Sequence, residues 1–500
     1  MTPHRLADPA PQRTSELIAT GDLPTRAREL LHAGFRLALV AGHDDGHALR
    51  VVYAFCAGPP DRRVELQVRL DPAHPAVPSL AALSFPASRF ERELADLFGI
   101  EPVGHPFLRP LVRHQHWPPH WHPMRGDAGP TPPMLTDAEP FPFVPVEGPG
   151  VYEIPVGPVH AGLIEPGHFR FSVVGETILK MKARLWFVHR GIERLFEGRT
   201  VADGVVLAER ISGDTAAGHT LAYCLAVEDA LCVETPTDAQ LLRAIVVELE
   251  RITNHVADLG ALCNDVGFGV AHARALTLRE RLLRLAGEVT GHRLLRGAIR
   301  PGAATVRRLP TEAELAEVGG LVDELVELAT SNTVVMDRFT GTALLSSDDA
   351  RTIGALGVVA RASGLPVDAR VAHPFVDLGP GLVPVVEEGG DVLARFSVRA
   401  GEVAASLRLV AELGGSVRSL DASAGDVGRR SGSGMGIVEA WRGTVVHRVE
   451  IDAGHVVRCK VVDPSFLTWP ALSVALADTI VPDFPLANKS FNLSYAGNDL

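Results

Sequence analysis

Between residues 106 and 150 the chain reads PFLRPLVRHQHWPPHWHPMRGDAGPTPPMLTDAEPFPFVPVEGPG, with neither a helical nor a strand period. Proline fixes φ and removes a backbone donor, so no long helix or central strand can pass through such a segment. The chain therefore has to divide into parts on either side of an extended connector. Trp117, Trp121, Phe141 and Phe143 are too many aromatics for a freely solvated linker, so the connector is expected to lie draped over protein. His114, His116, His120 and His122 fall within nine residues of it. A metal site is the alternative reading of that cluster, but the intervening prolines argue against a preformed geometry.

The flanks differ in character. FRLALVAGHD, ALRVVYAFCAG and RRVELQVRL read as strands, and SRFERELADLFGI places Phe90, Leu94, Leu97 and Phe98 at helical spacing. An α+β domain is expected over residues 1–110, the connector over 111–150 and a third region over 151–500. That last region opens with strand-like YEIPVGPVH and FRFSVVGE. It continues through long apolar helical patterns such as AQLLRAIVVELERITNHVADLGAL, which suggest a buried bundle. It closes on strands, with hairpin turns at Arg442-Gly443 and Asp452-Ala453-Gly454. The fold class is α+β: an N-terminal α/β sandwich domain, then a large, mainly helical domain with β-strands at its start and end.

Composition narrows the partners. At 500 residues the chain is too long for a typical single core. Its net charge of -12 argues against nucleic acid, because phosphate binding needs a basic face. No run of roughly 18 apolar residues appears, so a membrane span is not expected. The opening residues carry no apolar stretch behind a basic one and do not read as a secretory signal. The five cysteines form no CxxC and read as buried thiols. No Gly-rich dinucleotide fingerprint is present, so NADH is not expected to bind this chain.

ERELADLFGIEPVGHP, Glu91 to Pro106, resembles the signature of the small peripheral-arm (30 kDa-type) subunit of respiratory complex I, a docking motif in that family. Pro102 stands where an aromatic is usual. GPVHAGLIEPGHFRFSVVGE, FVHRGIERLFEGRT, ELERITNHVADLG, GHRLLRGAIRPGA and VVDPSFLTWPAL resemble the large subunit shared by complex I (49 kDa-type) and the complex I-like, formate hydrogenlyase-type [NiFe] hydrogenases. A fused small-then-large order is itself a feature of some of those proteins.

The resemblance implies a nickel-iron centre, held in such hydrogenases by RxCGxC and a terminal DPCxxC. Here the first motif reads Arg210-Ile211-Ser212-Gly213-Asp214-Thr215, so Ser212 and Thr215 stand at the cysteine positions. In SFNLSYAGNDL, Asn492 and Tyr495 are placed at the other two. Hydroxyls and an amide cannot replace bridging thiolates, so no metal and no cofactor of its own is expected on this chain, and hydrogenase activity is not expected. In complex I the corresponding cavity addresses quinone through a tyrosine and a histidine. The tyrosine position is Gly213, whereas His168 matches the loop histidine. His160 and His168 would otherwise read as polar loop residues.

Glu165 inherits the role of a proton-transferring carboxylate. Together with His168, Asp214 and His219 it forms the candidate proton or quinone cavity, with Asp499 also nearby; the alternative is that these groups simply satisfy one another in a dead site. The expected function is that of a subunit of a membrane-associated, complex I-like oxidoreductase complex, with electron transfer coupled to quinone or protons. Its expected partners are the family's iron-sulfur small subunit and integral membrane subunits, at the cytoplasmic side of the membrane. The rivals are an inert scaffold subunit and a hydrogenase with unconventional ligands.

Overall fold

The computed structural model describes residues 12–159, 164–379, 381–425, 428 and 430–500. The N-terminal part is a four-stranded sheet ordered Gln12–Leu17, Arg62–Leu70, Leu49–Ala57, Arg36–Asp44. The outer strand Gln12–Leu17 pairs parallel with Arg62–Leu70, and the other pairings are antiparallel. Three of these strands are legible as apolar runs. The fourth, QRTSEL, is polar and mostly exposed, and it is a strand because Arg62–Leu70 offers it a free edge.

The helix Phe85–Phe98 carries the ERE signature, and its acids act as connectors. Glu91 accepts hydrogen bonds from the Leu80 amide and the Ser79 hydroxyl, both at 2.6 Å. Asp96 gathers the amides of Leu111, Val112 and Arg113 at 2.7, 2.8 and 3.2 Å. Glu93 reaches across to Lys460 at 2.7 Å, on a strand near the other end of the chain. The motif thus fastens the first part of the chain to the connector and to the last sheet.

Beyond the connector, Val151–Val156, His168–Val174 and Thr177–Arg184 form an antiparallel sheet. The helices Ala216–Leu231, Thr237–Asp265, Gly269–Thr290, Glu312–Thr330 and Val392–Gly414 make up the bundle. The expected terminal strands are the antiparallel meander Gly432–Ala440, Gly443–Asp452 and His455–Val462. Its first strand reads GSGMGIVEA. Alternate residues share a face, and Gly432, Gly434 and Gly436 lie directly on the helix Ala216–Leu231. A Cβ on them would fall 2.0, 2.2 and 2.0 Å from the carbonyl oxygens of Ala230, Ala226 and Ala222. That close approach is what allows helix and sheet to share one core.

Two large apolar cores result. One joins the bundle to the meander. The other runs from the N-terminal sheet through the 151–184 sheet to the C-terminal helices, so the N-terminal sheet and the C-terminal helices share one core. Among the described residues, no helix is long and apolar enough to cross a membrane.

Candidate functional site

The loop before the helix Ala216–Leu231 is held by polar contacts from three directions. Ser212 Oγ donates to Asp214 Oδ1 at 3.0 Å and lies 2.9 Å from Ser494 Oγ. Thr215 Oγ1 donates to the same carboxylate at 3.1 Å and accepts from Trp441 Nε1 at 3.1 Å. Arg442 forks onto Asp214 at 2.5 and 2.7 Å, sends its Nε to the Asn492 carbonyl at 2.6 Å, and stacks 3.9 Å from the Trp441 ring centre. Desolvation pushes the Asp214 carboxyl up. The Arg442 charge and the hydrogen bonds of Arg442, Ser212 and Thr215 outweigh it and hold the group at about 2. Its side chain is 42% exposed, and that exposure faces the cavity described below. Behind the loop, Glu250 accepts from the Ala217 and Gly218 amides at 2.7 and 3.0 Å, yet burial still pushes it up to about 8.

The C-terminal segment closes the other side. The helix Phe484–Phe491 ends at Asn492, whose φ of 44° is the left-handed C-cap that asparagine tolerates. Ser494 then caps the helix Tyr495–Asp499 by accepting from the Gly497 amide at 2.8 Å. It is therefore Ser494 that meets Ser212. Asn492 instead turns its amide to Asp258 at 2.6 Å, and Tyr495 packs edge-on against Trp469 at 5.0 Å. Asn492 and Tyr495, the positions aligned with the other two cysteines, line the cavity described below together with Ser212.

Between these segments lies a cavity of about 530 Å³, whose lining includes Glu165, Asp214, Asp265, Arg442, Lys489 and Tyr495. Glu165 accepts from the Ala496 amide at 2.8 Å, at the first turn of the last helix. Burial pushes the Tyr495 phenol up to about 12. Gly167 leaves the ring its space, since a Cβ there would meet Tyr495 at 2.6 Å.

Three other candidates lie outside this cavity's described lining. His219 is fully buried behind it, 3.0 Å from both Asp463 and His447. His168 bonds the Gly157 carbonyl at 3.2 Å and lines a separate cavity with Phe143. Asp499 is buried, accepts from the Val188 amide at 3.1 Å, and is raised to about 6 by desolvation. His160 lies outside the described residues.

The four connector histidines do not gather at one point, although the rings of His114 and His116 lie 5.8 Å apart. His114 bonds the Trp186 carbonyl and His122 the Asp96 carbonyl, whereas His120 is exposed. Arg442, Trp441, Glu250 and Ser494 were not singled out from sequence.

The donor set does not fit a nickel-iron centre. The aligned positions Ser212, Thr215, Asn492 and Tyr495 offer three hydroxyls and an amide, and a guanidinium occupies the loop's carboxylate. Cys56, Cys224, Cys263 and Cys459 are buried elsewhere, and burial pushes the thiols of Cys224 and Cys263 up, the latter to about 12.

Sequence models of three families match the chain: "Respiratory-chain NADH dehydrogenase, 30 Kd subunit" over residues 18–133, "Nickel-dependent hydrogenase" over 190–263, and "Respiratory-chain NADH dehydrogenase, 49 Kd subunit" over 265–426. Formate hydrogenlyase subunit 5 of Escherichia coli is 32% identical over 87% of this chain and 79% of its own length. Hydrogenase-4 component G of the same organism is 33% identical over 82% and 73%. The C/D subunit of the NADH-quinone oxidoreductase of Phocaeicola vulgatus is 30% identical over 68% and 70%. Among solved structures, a chain of the membrane-bound sulfane sulfur reductase, an archaeal respiratory membrane complex, superposes with a TM-score of 0.62 at 25% identity, covering 70% of this chain and 99% of its own. The chain belongs to the family of complex I-like hydrogenase and NADH-quinone oxidoreductase subunits, in its fused form with 30 kDa-type and 49 kDa-type parts.

Proposed function

We propose that this chain is the peripheral large subunit of a membrane-attached redox complex, on the cytoplasmic face, working without a nickel-iron centre of its own. The observation that carries this reading is the Ser212–Ser494 hydrogen bond at 2.9 Å beside the Asp214–Arg442 ion pair. Oxygen donors and a fixed cation stand where the hydrogenase pattern needs four thiolates. An iron-sulfur small subunit supplies the electrons, since this chain has no cysteine set for a cluster.

The cavity itself handles protons beside a neutral ring headgroup of the quinone class. Its volume falls within the roughly 300–1,000 Å³ usual for small-molecule sites. Tyr495 offers a phenol that burial keeps protonated, and Asp214 stays ionised because Arg442 holds it so. Glu165, fixed at the first turn of the last helix, is placed to receive or release a proton at the cavity wall. A scaffold emptied of chemistry has no need of a cavity this size lined by charged groups. That favours the redox reading over the structural one.

The test is purification of the tagged chain from its native membrane. An iron-sulfur subunit and integral membrane subunits should co-purify, and quinone reduction by the complex should fall in Tyr495→Phe and Asp214→Asn. Recovery of the chain alone from the soluble fraction would overturn the proposal, as would wild-type quinone reduction in both variants.

A further inference from the structure

The second cavity, also about 530 Å³, lies between the proline-rich connector and the strands His168–Val174 and Thr177–Arg184, and it shares no described lining residue with the first. Its described walls carry Arg170, Arg184, His114, His116, His168 and His189, and no carboxylate. The rest of the lining is mainly proline and aromatic rings. Two cations without an acid in the wall, surrounded by flat apolar faces, are an unusual composition for a surface that water alone should fill.

Arg184 is fixed on the connector, whereas Arg170 is held by a single long link to a carboxylate. Arg184 is 4% exposed, and its two terminal nitrogens hold the carbonyls of Leu111 and Arg113. Its Nε is buried without a hydrogen-bond partner. Burial pulls this guanidinium down to about 10, and the more distant charges of Asp96 and Asp499 only partly restore it. Its flat face lies over the Phe141 ring at 4.6 Å, as that of Arg170 lies over Phe143 at 4.4 Å. The two rings meet edge-on at 4.9 Å. Stacking occupies the face of a guanidinium and leaves its in-plane N–H edge for an anion. The link from Arg170 to Glu153, at 3.5 Å, is at the outer limit of a hydrogen bond.

We propose that this cavity binds a planar aromatic carboxylate, its ring against the aromatic wall and its carboxylate on the N–H edge of Arg170, beside the buried charge of Arg184. A bare inorganic anion would leave the rings unused, and a neutral ring would leave the buried cation unpaired. The site goes beyond the redox reading above and does not depend on it, since its argument uses none of the groups of the Ser212 cavity.

Isothermal titration of the full-length chain with 2-naphthoate, 2-naphthamide and acetate tests the proposal. The expected result is saturable one-to-one binding of 2-naphthoate, with the amide and acetate each at least about tenfold weaker, the scale of a charge-assisted pair plus ring burial. Arg184→Gln should abolish binding. Because that change also releases two connector carbonyls, Arg170→Gln on the half-buried strand is the safer variant, and it should lose about tenfold with the melting temperature unchanged. Absence of 2-naphthoate binding, equal binding of the amide or of acetate, or unchanged binding in a folded Arg170→Gln protein would overturn it.

Discussion

The Asp214–Arg442 pair makes a quantitative prediction. Asp214 sits at about 2 against an ordinary 3.8, with Arg442 as the largest influence opposing desolvation. That depression corresponds to at most about 2.4 kcal/mol of coupling between the carboxylate and its partners. The Asp214 side chain is 42% exposed to the cavity, so solvent screening reduces the expected pairwise coupling to about 1 kcal/mol. A double-mutant cycle of Asp214→Asn and Arg442→Gln, read by urea unfolding, isolates that term from the other contacts of Arg442. The sign follows from a folded-state value that lies below the unfolded one. The stabilisation is complete above pH 3.8 and is lost as the pH falls towards 2. The coupling should therefore be about 1 kcal/mol at pH 7 and close to half of that at pH 3. A coupling indistinguishable from zero at pH 7, or one that does not shrink in acid, would refute the electrostatic account of the site.

Three further outcomes follow from the same structure. Gly434→Ala places a Cβ 2.2 Å from the Ala226 carbonyl and 2.3 Å from the Ala230 amide, so thermal or urea unfolding should show a loss of about 3 kcal/mol or more, as both atoms are backbone. Glu250, raised to about 8 by burial, should hold its proton at pH 7 and give a protonated-carboxyl infrared band that titrates near pH 8 and is missing in Glu250→Gln. Native alkylation followed by mass spectrometry should modify Cys232 and spare the buried Cys56, Cys224, Cys263 and Cys459.

The parts legible in the sequence were those whose signal is local. The apolar period of Thr237–Asp265, the alternating strands of the last meander and the ERE signature each announce themselves within a few turns of chain. The polar edge strand Gln12–Leu17 did not, because its strand state comes from a partner some 50 residues away. The site was half legible for the same reason. Ser212, Asp214 and Thr215 form one short motif, but Arg442, which holds Asp214, lies 228 residues further on. Ser494 was not legible either, because its contact with Ser212 spans 282 residues and leaves no trace in a spacing pattern. His168 and Glu165 are close in sequence yet face different cavities, because His168 already opens a strand while Glu165 lies on the loop beside the last helix.

The most direct test of the central claim is the nickel and iron content of the complex, isolated gently from its native membrane and counted per copy of this chain. The account predicts no nickel, with iron matching the clusters of the partner subunits alone. Stoichiometric nickel would contradict it, since Ser212, Thr215, Asn492 and Tyr495 would then be holding a metal that their donor atoms are not suited to bind.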